Sequence, residues 1–426
     1  MEIVEIVESN LVAPSEETPK ERQWLSNLDI TISPTIYTSL IYLYKFNGDP
    51  DFFSVPTIKA ALAKALVLFY PLAGRVAADK DGRFEIDCTG EGALFVVAQS
   101  KLTLGDLKDY QPSIENRKLF VPDFKSETPP LLMLQITFLE SRDVVLGASF
   151  NHCIVDAHSD FHFMQTFSSI ARGNASSVPP PLLDRALLRA RAPPLVSSNH
   201  PEHRHVEYLK SVGYTGLYPP FICTILKLSK DQIDHLKSIS CRRGSSDTIS
   251  TFQAVSAHIW KCLCLARNLA PDKESHLLFP VQVRSRISPP LPKYYLGNSC
   301  TCGLVSAKVS EVVEFIPQRI SEAVGQIDDA YVRESIDYLE VADKESLSRR
   351  FGMTEYDLSI SSWLSMPCYD ADFGYGEPDF MTVTDTGIGG IAFLIKNPGK
   401  DQGISVLVGL EIETMKQFKA IFYDFN

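Results

Sequence analysis

A break in composition between Asn174 and about Tyr214 constrains this chain more than any other feature. The stretch holds six prolines, several arginines and three histidines, with little apolar periodicity. On either side of it, short β-rich apolar runs alternate with segments whose apolar residues recur at helical spacing. A chain so divided reads as two α/β halves joined by a crossover, and 426 residues is length for two ordinary cores rather than one. The expected division is a first domain over 1–175, a crossover over 176–215 and a second domain over 216–426. Leu182, Leu183, Leu187 and Leu188 give the crossover something to bury.

In the first half, Ile36 to Tyr44 reads as a strand. Ser54 offers an N-cap and Pro56 an early-turn proline, followed by Ile58, Leu62, Ala65, Leu66 and Phe69 at helical spacing. Tyr70 to Arg75 stops that helix, and Val76 to Ile86 reads as strand around an Asp81-Gly82 turn. Val144 to Phe150 is apolar and β-rich and runs directly into His152. From about Ser159 to Gly173 the pattern is helical. The second half opens with a strand at Phe221 to Leu228 and a helix capped by Ser229. A stronger helix follows from Thr251 to about Asn268, with Ser250 as its N-cap.

Charge and cysteine usage exclude several function classes. A balance of 41 basic against 52 acidic residues, net −11, argues against nucleic acid as the partner. An anionic ligand would need a local basic patch or a helix N-terminus. The alternation of Met1 to Val7 is strand-like and lacks the features of a signal peptide. No apolar run approaches about 18 residues, so no membrane span is expected. The nine cysteines are scattered, and the C-x-C pairs Cys262/Cys264 and Cys300/Cys302 lack the usual zinc spacing. His158 and His162 lie at i, i+4 without a third ligand pattern. Reduced thiols, a cytoplasmic monomer and no metal are the expectations.

Two short motifs carry chemistry. His152-Cys153-Ile154-Val155-Asp156 puts a potential general base four positions before a carboxylate, at a strand end. Asp372-Phe373-Gly374-Tyr375-Gly376 is a glycine-aromatic turn; without a His-Arg-Asp loop it does not belong to a kinase, and no Gly-x-Ser-x-Gly elbow suggests a serine hydrolase. A condensation domain of a modular synthetase shares H-x-x-x-D but would be expected beside a carrier domain. In this order and separation the two motifs resemble those of the plant BAHD acyltransferases, which move an acyl group from coenzyme A to an alcohol or amine. The resemblance spans nearly the whole chain. Trp24-Leu25-Ser26-Asn27-Leu28-Asp29, Tyr70 to Arg75, Pro181-Leu182-Leu183-Asp184-Arg185, His205-Val206-Glu207-Tyr208 and Tyr295-Leu296-Gly297-Asn298 all resemble segments of its hydroxycinnamoyltransferases, though none is catalytic on its face.

The resemblance implies two chloramphenicol acetyltransferase-like domains, each a mixed β-sheet flanked by helices, with a channel between them. It implies a hydroxycinnamoyl-CoA donor, no further cofactor, and His152 as general base in a ternary complex. Thiols have a pKa near 8.5, so the thiolate leaves readily and no covalent enzyme intermediate is needed. Asp156 is implied to be structural and paired with an arginine, and Asp372, Gly374 and Gly376 to form a structural turn tied to Arg284. Ser361, Trp363 and Tyr37 are implied to line the acceptor pocket, with the Trp363 indole N–H holding the oxyanion. Ser250 and Thr251, at a helix N-terminus, are candidates for a coenzyme A phosphate.

Four positions depart from the family pattern. Ala157 stands for the usual Gly, Tyr375 for Trp, Glu377 for Lys or Arg, and Gln282 for Asp or Asn. Arg349 and Arg350 are candidates for gripping an acceptor carboxylate, as shikimate and quinate would require. Asp370, Glu377 and Asp379 form an acidic edge that favours a cationic acceptor. The expectation is therefore N-acylation of a polyamine such as spermidine, with O-acylation of shikimate or quinate as the second reading. A catalytically inactive, regulatory binding protein is the third.

Overall fold

The computed structural model describes residues 3–107, 110–196, 200–216, 218–241, 249–314, 316–399 and 402–425. Two compact units make up the chain. The first comprises Met1–Arg189, Leu291–Ser299 and Met366–Asp385, and the second Ala190–Pro290, Cys300–Ser365 and Thr386–Asn426. Two segments therefore leave chain order to join the first unit, and one of them carries the Asp372–Gly376 motif that the sequence reading assigns to the C-terminal half.

The first unit is built on a six-stranded sheet in the order β1 (Val4–Val12), β6 (Ala93–Ser100), β7 (Leu132–Leu139), β8 (Val144–Asn151), β3 (Tyr37–Tyr44) and β13 (Phe380–Val383). Met1 and Glu2, part of the expected N-terminal strand, lie outside the described residues. Only β6 and β7 run parallel, so the sheet is mixed. A small sheet of β2 (Arg22–Trp24), β5 (Phe84–Asp87) and β4 (Arg75–Ala78) accompanies it. The helix Val55–Leu68 buries Ile58, Leu62, Ala65 and Leu66, the stripe its spacing predicts. It packs against a second helix, Ala157–Ala171. That helix starts two residues before the expected Ser159, because the Asp156 carboxylate accepts from Ser159 N and serves as its N-cap.

The second unit repeats the plan. Its sheet runs β11 (Cys300–Lys308), β10 (Glu274–Gln282), β12 (Leu358–Ser362), β14 (Ile391–Lys396), β15 (Ile404–Glu411) and β9 (Phe221–Leu228). Helix Thr251–Ala266 buries ten of its residues, Trp260 among them, and is opened by a capping box between Ser250 and Gln253. The Ser229–Gln232 pair makes the same reciprocal bonds ahead of helix Lys230–Cys241. The proline-rich crossover contains a helix that its composition hides, Pro201–Ser211, with the proline in its first turn and Val206 and Leu209 buried. Cys88, Cys153, Cys223, Cys262, Cys264, Cys300, Cys302 and Cys368 are free thiols, all but Cys300 buried. Among the described residues no helix is long and apolar enough to cross a membrane.

Candidate active site

Strand β8 ends at Asn151, and the chain turns through His152–Val155 before the helix begins at Ala157. His152 is half-buried in that turn. Its Nδ1 lies 3.1 Å from the carbonyl oxygen of Val155. A carbonyl can only accept, so Nδ1 carries the proton and the neutral ring keeps its lone pair on Nε2. Burial lowers the pKa of the imidazole, against the opposing pull of the Val155 carbonyl and the Asp156 charge. The ring is thus neutral at neutral pH, as a base must be.

Asp156 does not orient His152, since the nitrogen facing the protein is already bonded to Val155. Instead its Oδ1 accepts from the amide and hydroxyl of Ser159, both at 3.0 Å. Its Oδ2 accepts from the Ser299 amide at 3.1 Å and hydroxyl at 3.0 Å. The carboxylate joins the helix start to the segment after Tyr295–Asn298. The Ala157 substitution costs nothing visible, because that residue is the first of a regular helix and its φ is not among the positive values.

Three family-like segments without an assigned role converge on this turn. Asn298 Nδ2 donates to the His152 carbonyl at 2.9 Å and to Asp29 Oδ1 at 3.0 Å. Arg185 donates through Nη1 to Asp29 Oδ2 and through Nη2 to the Ile154 carbonyl, each at 2.8 Å. Asp29 and Arg185 are fully enclosed, with side chains 0% and 3% exposed. Burial acts to lower the Arg185 pKa, but Asp29 overcomes it and holds the guanidinium charged. Sequence reasoning passed over Asp29, Arg185 and Asn298; a buried charge pair leaves no spacing signal when its members stand 156 residues apart.

Tyr37 pairs with Asn151 across β3 and β8, and the His152 amide donates to the Ile36 carbonyl at 2.9 Å. Tyr37 donates its hydroxyl to the Pro130 carbonyl at 2.9 Å, and burial raises its pKa. It lines a cavity of about 490 Å³ with Ser39, Met133, Phe124, Arg117 and Asn151. The wall mixes apolar, hydroxyl and amide groups, as small-molecule sites do.

The second motif corrects one expectation. Asp372 pairs with Arg172 at 2.9 Å, not with Arg284. Its Oδ1 also accepts from the amides of Gly374 at 2.7 Å and Gly376 at 2.9 Å. Burial acts to raise the Asp372 pKa, and these donors overturn it, leaving the carboxyl below its ordinary range. Gly374 and Gly376 both have φ of +102°, the left-handed side that explains the glycines. Phe373 packs on Phe53, Phe167 and Tyr44, and Tyr375 on Phe52 and Phe53. The Tyr375 hydroxyl donates to the Asp51 carbonyl at 2.7 Å.

Asp370, Glu377 and Asp379 are exposed in this unit. Asp370 accepts from Gln165 and Asp379 from the Lys45 amide. The remaining candidates belong to the second unit. Trp363 is buried beside Phe393, and Ser361 lies half-buried in β12. Arg284 is buried, and its amide is held by Gln282 Oε1 at 2.8 Å. Arg349 ends the helix Lys344–Arg349 and is half-buried. Arg350 is 3% exposed and donates through Nη2 to the hydroxyls of Thr301 and Ser335. The capping box at Ser250 engages the amides of Ser250 and Gln253, so two donors of this helix start are already taken.

Residues 2–425 match the Transferase family. The chain is 40% identical to putrescine hydroxycinnamoyltransferase 1 of Oryza sativa subsp. japonica, over 99% of each chain. It is 38% identical to shikimate O-hydroxycinnamoyltransferase of Nicotiana tabacum, over 99% of this chain and 100% of that one. The fold is similar to that of the crystal structure of vinorine synthase, with a TM-score of 0.73 over 97% of this chain and 96% of that one at 23% identity.

Proposed function

The chain belongs to the BAHD acyltransferase family, an acyl-CoA-using enzyme family, and from that premise we propose that it transfers a hydroxycinnamoyl group from its coenzyme A thioester to the amine of a polyamine. The observation that carries the reaction is the 3.1 Å contact of His152 Nδ1 with the Val155 carbonyl oxygen, which only a protonated Nδ1 satisfies and which leaves the lone pair on Nε2. An amine first loses one proton to solvent. As its nitrogen attacks the thioester carbon, the new C–N bond forms and Nε2 takes the second proton. The C–S bond then breaks, and the proton goes to the leaving thiolate. General-base work of this kind is worth roughly 10²–10⁴ in rate. The Trp363 indole is the proposed oxyanion donor, tested by Trp363→Phe. Flat phenolic acyl groups suit the mixed lining of the cavity beside Tyr37.

The amine acceptor rests on three supports: the exposed carboxylates of Asp370, Glu377 and Asp379, the interior position of Arg350, and similarity to an enzyme named for putrescine. O-acylation of shikimate is the second reading, favoured by similarity to the tobacco enzyme. Competing assays with p-coumaroyl-CoA against putrescine, spermidine, shikimate and quinate decide between them by product mass. Amide from a polyamine is expected, and ester from shikimate or quinate alone would overturn the acceptor class. The pH profile gives an independent check. Aliphatic amines titrate near 10, like lysine, so kcat/KM for an amine should keep rising about tenfold per unit between pH 7 and 9. An alcohol acceptor would level off once His152, with its lowered pKa, is neutral.

A further inference from the structure

We infer that Asp29, Arg185 and Asn298 form a buried positioning relay that sets where His152 stands, an inference that rests on His152 being the base. The turn between β8 and the helix at Ala157 must present one imidazole while keeping its own backbone polar groups satisfied. Three of its carbonyls have donors of different kinds. Val155 O takes the His152 ring itself, His152 O takes Asn298 Nδ2, and Ile154 O takes Arg185 Nη2. Asp29 binds both outside donors at once, Asn298 on Oδ1 and Arg185 on Oδ2. It also accepts from the Ser26 amide at 2.9 Å and hydroxyl at 2.7 Å, which ties the relay to the N-terminal segment. One enclosed carboxylate therefore fixes two donors, and the two donors fix the carbonyls on either side of Cys153.

Gly297 supplies an independent sign of how closely the relay is built. A Cβ there would come within 2.7 Å of Arg185 Nη1, and its φ is +152°. Glycine is the residue that lets the Tyr295–Asn298 segment pass beside the guanidinium. The relay touches no reacting atom, so its action is geometric. A base displaced by about 1 Å can lose on the order of 10²-fold in rate, while binding of the substrates stays as it was.

Asn298→Ala is the cleanest test, because Asp29 and Arg185 keep each other and no buried charge is orphaned. The full-length variant should lose 10- to 100-fold in kcat with p-coumaroyl-CoA, with KM for the thioester unchanged and thermal midpoint close to that of the parent. Gly297→Ala, which removes no polar group, should lose kcat in the same direction. Asn298→Asp, which keeps shape but removes the donor, should not rescue. Wild-type kcat in both Asn298→Ala and Gly297→Ala, beside an inactive His152→Ala, would overturn the relay and leave the base intact. An active His152→Ala would instead remove the premise.

Discussion

The helix Ala157–Ala171 is held at its two ends by unlike chemistry, and the contrast separates what serves the reaction from what serves the fold. It has 15 residues, so its ends stand about 22 Å apart. At the N-terminal end the contacts are polar and enclosed: Asp156 caps the helix and accepts from Ser299, while Arg185 and Asn298, both held by Asp29, bind the turn that carries His152. At the other end Arg172, its C-cap residue, meets Asp372 in a pair about one-third exposed on each side, and the aromatic rings around Phe373 supply the packing. Polar, buried and directional contacts fix a position; apolar contacts with one solvated ion pair fix an attachment. Both motifs that single the chain out sit at this one helix, one at each end.

Breaking the N-terminal end should be the costlier change. Arg185→Met leaves the Asp29 carboxylate enclosed without its cation, and removing one member of a buried pair costs about 3–5 kcal/mol. Urea unfolding should show that loss, together with loss of activity in whatever fraction remains folded. The C-terminal end should give way more gently. Gly376→Ala meets no neighbouring atom within 4 Å, so its cost is the positive φ alone, about 1–2 kcal/mol. Its kcat should be unchanged at a temperature where it is folded. Arg172→Ala should cost least, below about 1 kcal/mol, because a pair one-third exposed on each side is screened. The Asp372 carboxyl has its pKa lowered in the fold, so this contribution is complete above the unfolded value and fades as pH falls through the folded one. Arg172→Ala should therefore flatten the acid limb of stability without touching the rate. A C-terminal variant that lost kcat while folded would erase the distinction between the two ends.

What the sequence made legible followed from local pattern. Helix Val55–Leu68 announced itself by the stripe from Ile58 to Leu66, and Thr251–Ala266 by its Ser250 cap. His152 at a strand end was readable for the same reason, since Val144 to Phe150 is a run of β-forming residues. The partners that hold it were not. Asp29, Arg185 and Asn298 are separated by more than a hundred residues each, and their meeting depends on tertiary folding that no period records. Asp372 was assigned to Arg284 by resemblance, whereas Arg172 reaches it because the motif folds back onto the first unit. The helix Pro201–Ser211 was hidden by its composition, as proline in a first turn and histidines among the buried positions mimic a loop.

Steady-state kinetics of His152→Ala with p-coumaroyl-CoA and putrescine tests the central claim most directly. The account predicts a protein with unaltered circular dichroism and thermal midpoint whose kcat falls by at least about 10²-fold, with two-substrate kinetics of the parent converging in a sequential pattern. A folded His152→Ala that turns over at a near-parental rate would contradict it.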